Sequence, residues 1–323
     1  MRQSVAGAWR LTMGVAVAVC SSACAAPPPA PVPTRVVMSI PFSGNAWESI
    51  GRALGAEYNA RVPGVSAEVV LAESLESQVD AMEEGKVDLA LEDAETAYLA
   101  YTRGTERSAS PHQDLRAVGV MFSIAVQVAV PASTGIERIE QLRGKRVDVG
   151  TPGGAVERAS RIIFESHGLG YEAMTPSFGG GNTLDRFKDG DLDARVFYSA
   201  FKHPVIANIS RDVDVRILPI DRRALGAIQE RHHFLKTTTI PAGTYPNQIG
   251  DVQTVGMDVL LLCRRDLPDA LVYDLTRALF DAVPTLVQAH EAASAIDVER
   301  GPTASIPLHP GAARYYRERE ILK

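Results

Sequence analysis

Hydrophobic and polar positions change period many times along this chain, and the changes mark its elements. Residues 35–40 read as a strand, and Trp47, Ile50, Leu54 and Tyr58 then fall on one helical stripe that Pro63-Gly64 closes. Residues 65–71 alternate as a strand, Leu75, Val79 and Met82 mark a helix stopped by Gly85, and residues 87–91 form the next strand. A helix over 94–103 follows, closed by Gly104. This β-α-β-α-β order predicts parallel strands covered by helices.

Residues 115–130 read as two strands broken near Ser123, and a helix is expected over 136–143. The stretch 146–168 has the grammar strand, glycine loop, helix: Val147 and Val149 at period 2, then Gly150, Gly153 and Gly154, then the stripe Val156, Ala159, Ile162, Ile163. Strands at 172–177 and 193–198 flank a helix marked by Leu184 and Phe187. Further on come a strand over 213–220, a helix over 221–232, a stretch at 236–245, and a strongly strand-like 254–263. A long apolar-striped helix over 267–290 carries Pro284 as a kink, and a short loop and helix begin at Ile306.

One local pattern occurs twice. Met82-Glu-Glu-Gly85-Lys-Val-Asp88 matches Phe187-Lys-Asp-Gly190-Asp-Leu-Asp193: helix end, glycine, two residues, aspartate, strand. Its place in two β-α-β units predicts two halves built alike. Ligands of open α/β sheets bind outside the carboxyl ends of the strands, so two such halves would face each other across a cleft.

Composition narrows the function. The 323 residues suffice for one large or two medium domains, and a net charge of −6 with no long basic run argues against a nucleic-acid surface. Arg2 and Arg10, the apolar run 11–19 and the small-residue zone 21–26 read as a secretory signal peptide, too short to span a bilayer. Two processing routes fit: cleavage after Ala25, or lipidation of Cys24. Residues 26–34 are a proline-rich tether. Of the three cysteines only Cys263 is certain to remain in the folded part, so no internal disulfide is expected there and Cys263 should pack in the core.

The glycine loop fits neither the P-loop nor the dinucleotide fingerprint, which sets nucleotide binding aside. Taken alone it is a tight β–α turn; with a ligand, its helix amides suit a carboxylate or phosphate. Nor does the chain carry a nucleophile elbow, a zincin motif or a paired acid and base, so no enzyme, cofactor or metal is expected. His232-His233 has no partner ligands at zinc spacing.

Two late stretches are more specific. Thr239-Ile-Pro-Ala-Gly-Thr-Tyr245-Pro, followed by Val252-Gln-Thr-Val-Gly256, and Ile306-Pro-Leu-His309-Pro-Gly-Ala-Ala-Arg-Tyr-Tyr316 join Leu142-Arg-Gly-Lys-Arg-Val147 in an order that resembles the TAXI family. These are the solute receptors of tripartite ATP-independent periplasmic (TRAP) transporters. The resemblance covers nearly all of 35–318. It implies a type II periplasmic-binding-protein fold, two α/β lobes joined by a hinge with a ligand cleft between them. On this reading lobe 1 is 35–123 plus 255–323, and lobe 2 is 124–254. The implied function is capture of a small organic solute, a carboxylate or an amino acid, for a TRAP permease, in the periplasm or on the outside face of a membrane and touching the membrane only through a lipid on Cys24. A binding protein reporting to a sensor kinase, and an exported enzyme on the same scaffold, are the alternatives.

The sequence departs from the family at its loops. The first loop reads Ser43-Gly44-Asn45-Ala46-Trp47 instead of paired glycines, the glycine loop has lost both hydroxyls at Gly153-Gly154-Ala155-Val156, and Phe201-Lys202-His203-Pro204 puts a candidate cation where a Gly-x-Pro is usual. The expected ligand-binding residues are Ser43, Gly44, Asn45, Trp47, Asp93, Thr151, Gly153, Gly154, Tyr198, Ser199 and Tyr245. Several have structural alternatives: helix capping for Ser43, Asn45 and Asp93, hinge packing for Tyr245, and a solvated loop for Lys202 and His203. Arg195 faces either the cleft or the surface, and His309 is read as structural.

Overall fold

A computed structural model describes residues 34–323 apart from Phe42 and His233. The signal segment, Cys24, most of the tether and half of the His232-His233 pair therefore lie outside the described residues. The strands form one 10-stranded sheet. Its first flank holds β1 (Thr34–Ile40), β2 (Val65–Leu71) and β3 (Leu89–Asp93), all parallel. Helices α1 (Ala46–Arg61), α2 (Leu75–Glu83) and α3 (Ala94–Arg103) make the crossovers.

Two long strands hold the centre. β4 runs unbroken over Leu115–Pro131, which corrects the expected break at Ser123. The irregularity there is a bulge: the pairing with β10 (Val252–Arg264) shifts register between Asp258 and Leu260, and the strand continues through it. At Ala125, β4 has β10 on one edge and β7 (Ala194–Ser199) on the other, and the pairing with β7 continues to Ala129. Opposite it, Gly256 lies between β4 and β9 (Lys236–Ile240), where a Cβ would come within 2.6 Å of the Ile124 carbonyl oxygen. Only glycine fits that approach. The second flank continues from β7 through β5 (Arg146–Asp148) to β6 (Thr175–Ser177), again parallel, while β8 (Val215–Leu218) pairs the end of β4.

The repeated Gly-x-x-Asp pattern does the same work in both flanks. Gly85 and Gly190 take φ of 72° and 73°, and the aspartate three residues on reaches sideways to the neighbouring strand. Asp88 accepts the amide of Val37 at 2.8 Å, and Asp193 accepts the amide of Arg146 at 2.8 Å. An arginine neutralises each, Arg264 at 3.3 Å from Asp88 and Arg146 at 2.9 Å from Asp193.

The remaining helices are α4 (Ala155–Ser166), α5 (Thr183–Lys188), α6 (Pro204–Ile209), α7 (Arg222–Arg231), α8 (Asp269–Asp281), α9 (Val283–Ala289) and α10 (Pro310–Glu318). The long helix expected over 267–290 is thus two, divided at Ala282 because Pro284 has no amide to continue the first and suits the opening turn of the second. The helix expected over 136–143 is a short 3-10 turn, Ile139–Leu142. One large core runs under most of the sheet, and a smaller one around Phe187, Phe197, Ile217 and Tyr245 supports the second flank. Cys263 is fully buried as a core residue, and His309 is tied to the backbone at Leu267 and Gly311.

Candidate functional site

A cavity of about 340 Å³ opens where the two flanks meet, at the carboxyl ends of their parallel strands. Its first wall is built by the turn before α1, by Leu75, and by Asp93 at the end of β3. The second wall is built by Thr151, the start of α4, and Tyr198-Ser199-Ala200 at the end of β7. Ile124 of the central strand forms part of its lining, and His290 lies at its edge. Most of the lining is apolar.

Polar groups on the first wall already have partners. Asn45 Oδ1 accepts the amide of Trp47 at 2.9 Å and so caps α1, while the Glu48 carboxylate reaches back to the Gly44 amide at 2.7 Å. Trp47 is buried and meets Phe122 edge-on, with centroids 5.8 Å apart. Asp93 caps α3 through the Thr96 amide at 2.7 Å and also lines the cavity. Burial raises its carboxyl from the ordinary 3.8 to about 6, against the pull of the Thr96 amide. Beside it the fully buried Glu92 is pushed well above the usual carboxylate range, by burial first and by Asp93 second. Gln78 holds Glu92 at 2.8 Å.

The second wall is different. Gly150 turns at φ 90°, where a Cβ would meet Val156 at 2.7 Å. Asp148 steadies the turn, accepting the Gly150 amide at 3.1 Å and pairing with Arg186 at 3.1 Å. Gly154 stands at the N-cap of α4 with no side chain to offer, and no side chain caps this helix. Its own amide donates to the Thr151 carbonyl at 2.9 Å, so the Gly154 amide is already used. Ala155 and Val156, the first two residues of the helix, line the cavity, and amides at those positions have no partner within a helix. Tyr198 adds a hydroxyl that is buried and without a hydrogen-bond partner. Burial, then the nearby Asp93, holds that phenol well above its ordinary range. Ser199 Oγ is engaged by Gln127 at 3.2 Å and by the Ala200 carbonyl at 3.1 Å.

Of the eleven expected residues, the cavity gathers Asn45, Trp47, Asp93, Thr151, Gly154, Tyr198 and Ser199. Ser43, Gly44 and Gly153 are exposed beside it. Tyr245 lies behind it: its buried hydroxyl bonds Gln127 and accepts the His203 amide at 3.0 Å, setting the loop after β7. That loop supplies no free cation. Lys202 pairs with Glu291 at 2.9 Å. The His203 ring lies 4.8 Å from Phe197, takes the Val205 amide on Nδ1, and is driven down to about 4 by burial and then Arg195, so it is neutral. Arg195 lies over the Phe197 ring at 4.7 Å and bonds Thr183, away from the cavity. Ala155, Val156, Ile124, Leu75 and His290 were not anticipated. The helix start was visible in the glycine loop, but which amide the turn would consume was not.

The NMT1-like family model matches residues 43–319. Among solved structures, PhnD1 from Prochlorococcus marinus, in complex with methylphosphonate, aligns with a TM-score of 0.54 at 10% identity over 89% of this chain and 96% of that one. The periplasmic aliphatic sulphonate binding protein SsuA from Escherichia coli aligns at 0.49 and 15% identity, over 90% and 94%. At these identities the likeness speaks to fold. The architecture is the type II periplasmic-binding-protein arrangement, an α/β sheet of 10 strands with helices on its faces.

Proposed function

The chain belongs to the NMT1-like family, and from that premise we propose that it is an extracytoplasmic solute-binding receptor for a small organic carboxylate or amino acid. The observation that carries this reading is the uncapped start of α4 facing an apolar cavity. A helix end with unspent amides and a positive dipole favours an anionic group. The apolar lining suits the carbon body, and the unpaired Tyr198 hydroxyl is available to a second polar group. Binding and closure are the whole activity, with no bond made or broken. The lobes are 35–123 plus 255–323 and 124–254, and they turn about the strands near Ser123 and Thr254, beside the point where the pairing of β4 with β10 ends and that with β7 begins. The TAXI motifs favour a TRAP permease as the partner that receives the closed form. The signal sequence favours a periplasmic or outer-face location, with Cys24 as the membrane tether if it is lipidated.

A thermal-shift screen of residues 26–323 tests the reading, with carboxylates, amino acids, sulfonates, sugars and phosphate esters as probes. A ligand at about 100 times its dissociation constant should stabilise the protein by roughly 2.7 kcal/mol. The Gly154→Asp variant supplies the decisive arm. Its φ of −80° suits a side chain, although the Cβ would lie 3.1 Å from the Thr151 carbonyl oxygen, and an aspartate there would present a carboxylate to the same amides. Affinity for an anionic solute should fall at least about tenfold, or 1.4 kcal/mol, with the fold retained. Unchanged affinity in this variant would refute the assigned anion contact. Tight binding of a neutral sugar would refute the ligand class.

A further inference from the structure

The far end of α4 carries a second arrangement of polar groups, unrelated to the cavity. His167 terminates the helix, and its ring is 1% exposed. Nδ1 lies 2.8 Å from the Ile163 carbonyl oxygen, which can only accept, so Nδ1 carries a proton and Nε2 is the nitrogen left for a ligand. That Nε2 is buried and has no hydrogen-bond partner. It lies 3.2 Å from Asp221 Oδ2, within ion-pair distance but out of hydrogen-bond alignment. Asp221 caps α7 with its other oxygen, Oδ1, through the amides of Arg223 and Ala224 at 2.8 and 2.9 Å. Oδ2 is thereby left facing the His167 ring. Glu140, on the 3-10 turn Ile139–Leu142, completes the group, and the three ligand atoms all lie within 4.8 Å of one another.

We propose that Glu140, His167 and Asp221 form a site for a first-row transition-metal dication, with Zn²⁺ as the best fit. The imidazole selects this class over Mg²⁺ and Ca²⁺, which take oxygen ligands. A histidine that ligates a metal through one nitrogen commonly donates the other N–H to a backbone carbonyl, which is how His167 is held here. Tetrahedral zinc with bonds near 2.0–2.1 Å sets its ligand atoms about 3.3 Å apart, close to the 3.2 Å between Nε2 and Oδ2. The carbonyl end of α4 also favours a cation. Arg143 reaches the Gly168 carbonyl at 3.2 Å, but no arginine or lysine forms an ion pair with Glu140 or Asp221 among the described residues. Glu140 and Asp221 are exposed, so a metal can enter, and solvent can fill a fourth position. The ion would tie the end of α4 to α7 and to the 139–142 turn, three segments far apart in sequence.

Calorimetric titration of the untagged protein with Zn²⁺ at neutral pH tests this. One equivalent should bind, Co²⁺ should replace it with the visible absorption of a tetrahedral site, and excess Mg²⁺ or Ca²⁺ should not compete. The Glu140→Gln/Asp221→Asn double variant keeps the α7 cap, since asparagine also caps. It should lose at least about tenfold in Zn²⁺ affinity with the melting temperature of the metal-free protein little changed. His232→Gln, which alters a histidine outside the site, should leave affinity intact. No uptake by the wild type at submillimolar Zn²⁺ would make the cluster a plain His–Asp pair and overturn the proposal. Undiminished uptake by the double variant would place the ion elsewhere and overturn it equally.

Discussion

The two walls of the cavity use similar parts to opposite ends. Each has a turn that leads from a strand into a helix, and each turn contains glycine. On the first wall Asn45 caps α1, Glu48 holds the Gly44 amide, and Asp93 caps α3. On the second wall α4 has no side-chain cap, and the Tyr198 hydroxyl has no partner. Where a helix start is capped, the cap takes one of its donors and sets a side-chain oxygen before the rest, so the wall shapes a ligand and disfavours an anion. Where the cap residue is Gly154, the donors remain available. The difference between Asn45 and Gly154 thus assigns the shaping role to one wall and the anchoring role to the other.

Asp93 gives the largest test of that division, because it is the acidic residue that the capped wall presents to the cavity. Its carboxyl is raised from 3.8 to about 6 in the folded protein. A raised carboxyl favours the folded state below its unfolded value, and that advantage is lost as pH climbs through the folded one. From pH 4 to 6, therefore, ionisation of Asp93 should lower stability, by up to about 3 kcal/mol for a shift of two units. The Asp93→Asn variant keeps the cap without the charge. Urea unfolding should show it level with wild type at pH 4 and increasingly more stable up to about pH 6, with a constant advantage above. His203 works the other way: its depressed value of about 4 makes the folded state lose stability as pH falls from 6.5 towards 4. Comparing variant with wild type at each pH removes that background. If Asp93 only caps, ligand affinity stays within about threefold, under 1 kcal/mol. A tenfold loss would give Asp93 the ammonium of an amino acid, and the first wall would then be an anchor as well.

A smaller effect comes from uncapping the capped helix. Asn45→Ala should cost about 1 kcal/mol of stability, read from the denaturation midpoint. Affinity should change little, because the Glu48–Gly44 contact still closes the turn. Should Asn45→Ala weaken binding as strongly as Gly154→Asp, the two walls would be equivalent and the comparison would fail.

How much of this was legible beforehand follows from what decides each feature. The parallel flanks were written in local periodicity, and the twin aspartates Asp88 and Asp193 in their spacing from glycine. The continuity of β4 through Ser123 was not, because it depends on pairing with β10, more than a hundred residues away, and a polar residue inside a strand looks like a break from within. Pro284 was recognised as a disruption, but whether a helix bends or divides depends on packing around Ala282. At the cavity, residue types pointed to Asn45, Trp47, Asp93 and Tyr198. Local chemistry could not show that the Thr151 carbonyl would take the Gly154 amide, or that burial would leave His203 neutral. Glu140, His167 and Asp221 lie too far apart in sequence for any spacing rule to join them.

The finest distinction concerns an ion pair beside the cavity, next to the lining residue His290. Lys202, in the loop after β7, meets Glu291, in the turn after α9, with Nζ and Oε2 2.9 Å apart. Both side chains are about half exposed, at 51% and 48%, so solvent screens the attraction and the pair is worth less than about 1 kcal/mol. A double-mutant cycle with Lys202→Met and Glu291→Gln should return a coupling energy of that size at low salt. At 1 M salt, where the screening length is about 3 Å, the coupling should vanish. The informative measurement repeats the cycle with ligand bound. If closure brings the walls together, the pair loses water and its coupling rises in the complex, so that each single variant weakens binding slightly and the double variant no more than either. Equal coupling with and without ligand would mean that Lys202 and Glu291 already sit at their final distance in the free protein, and that closure, if it occurs, turns about a line passing through them.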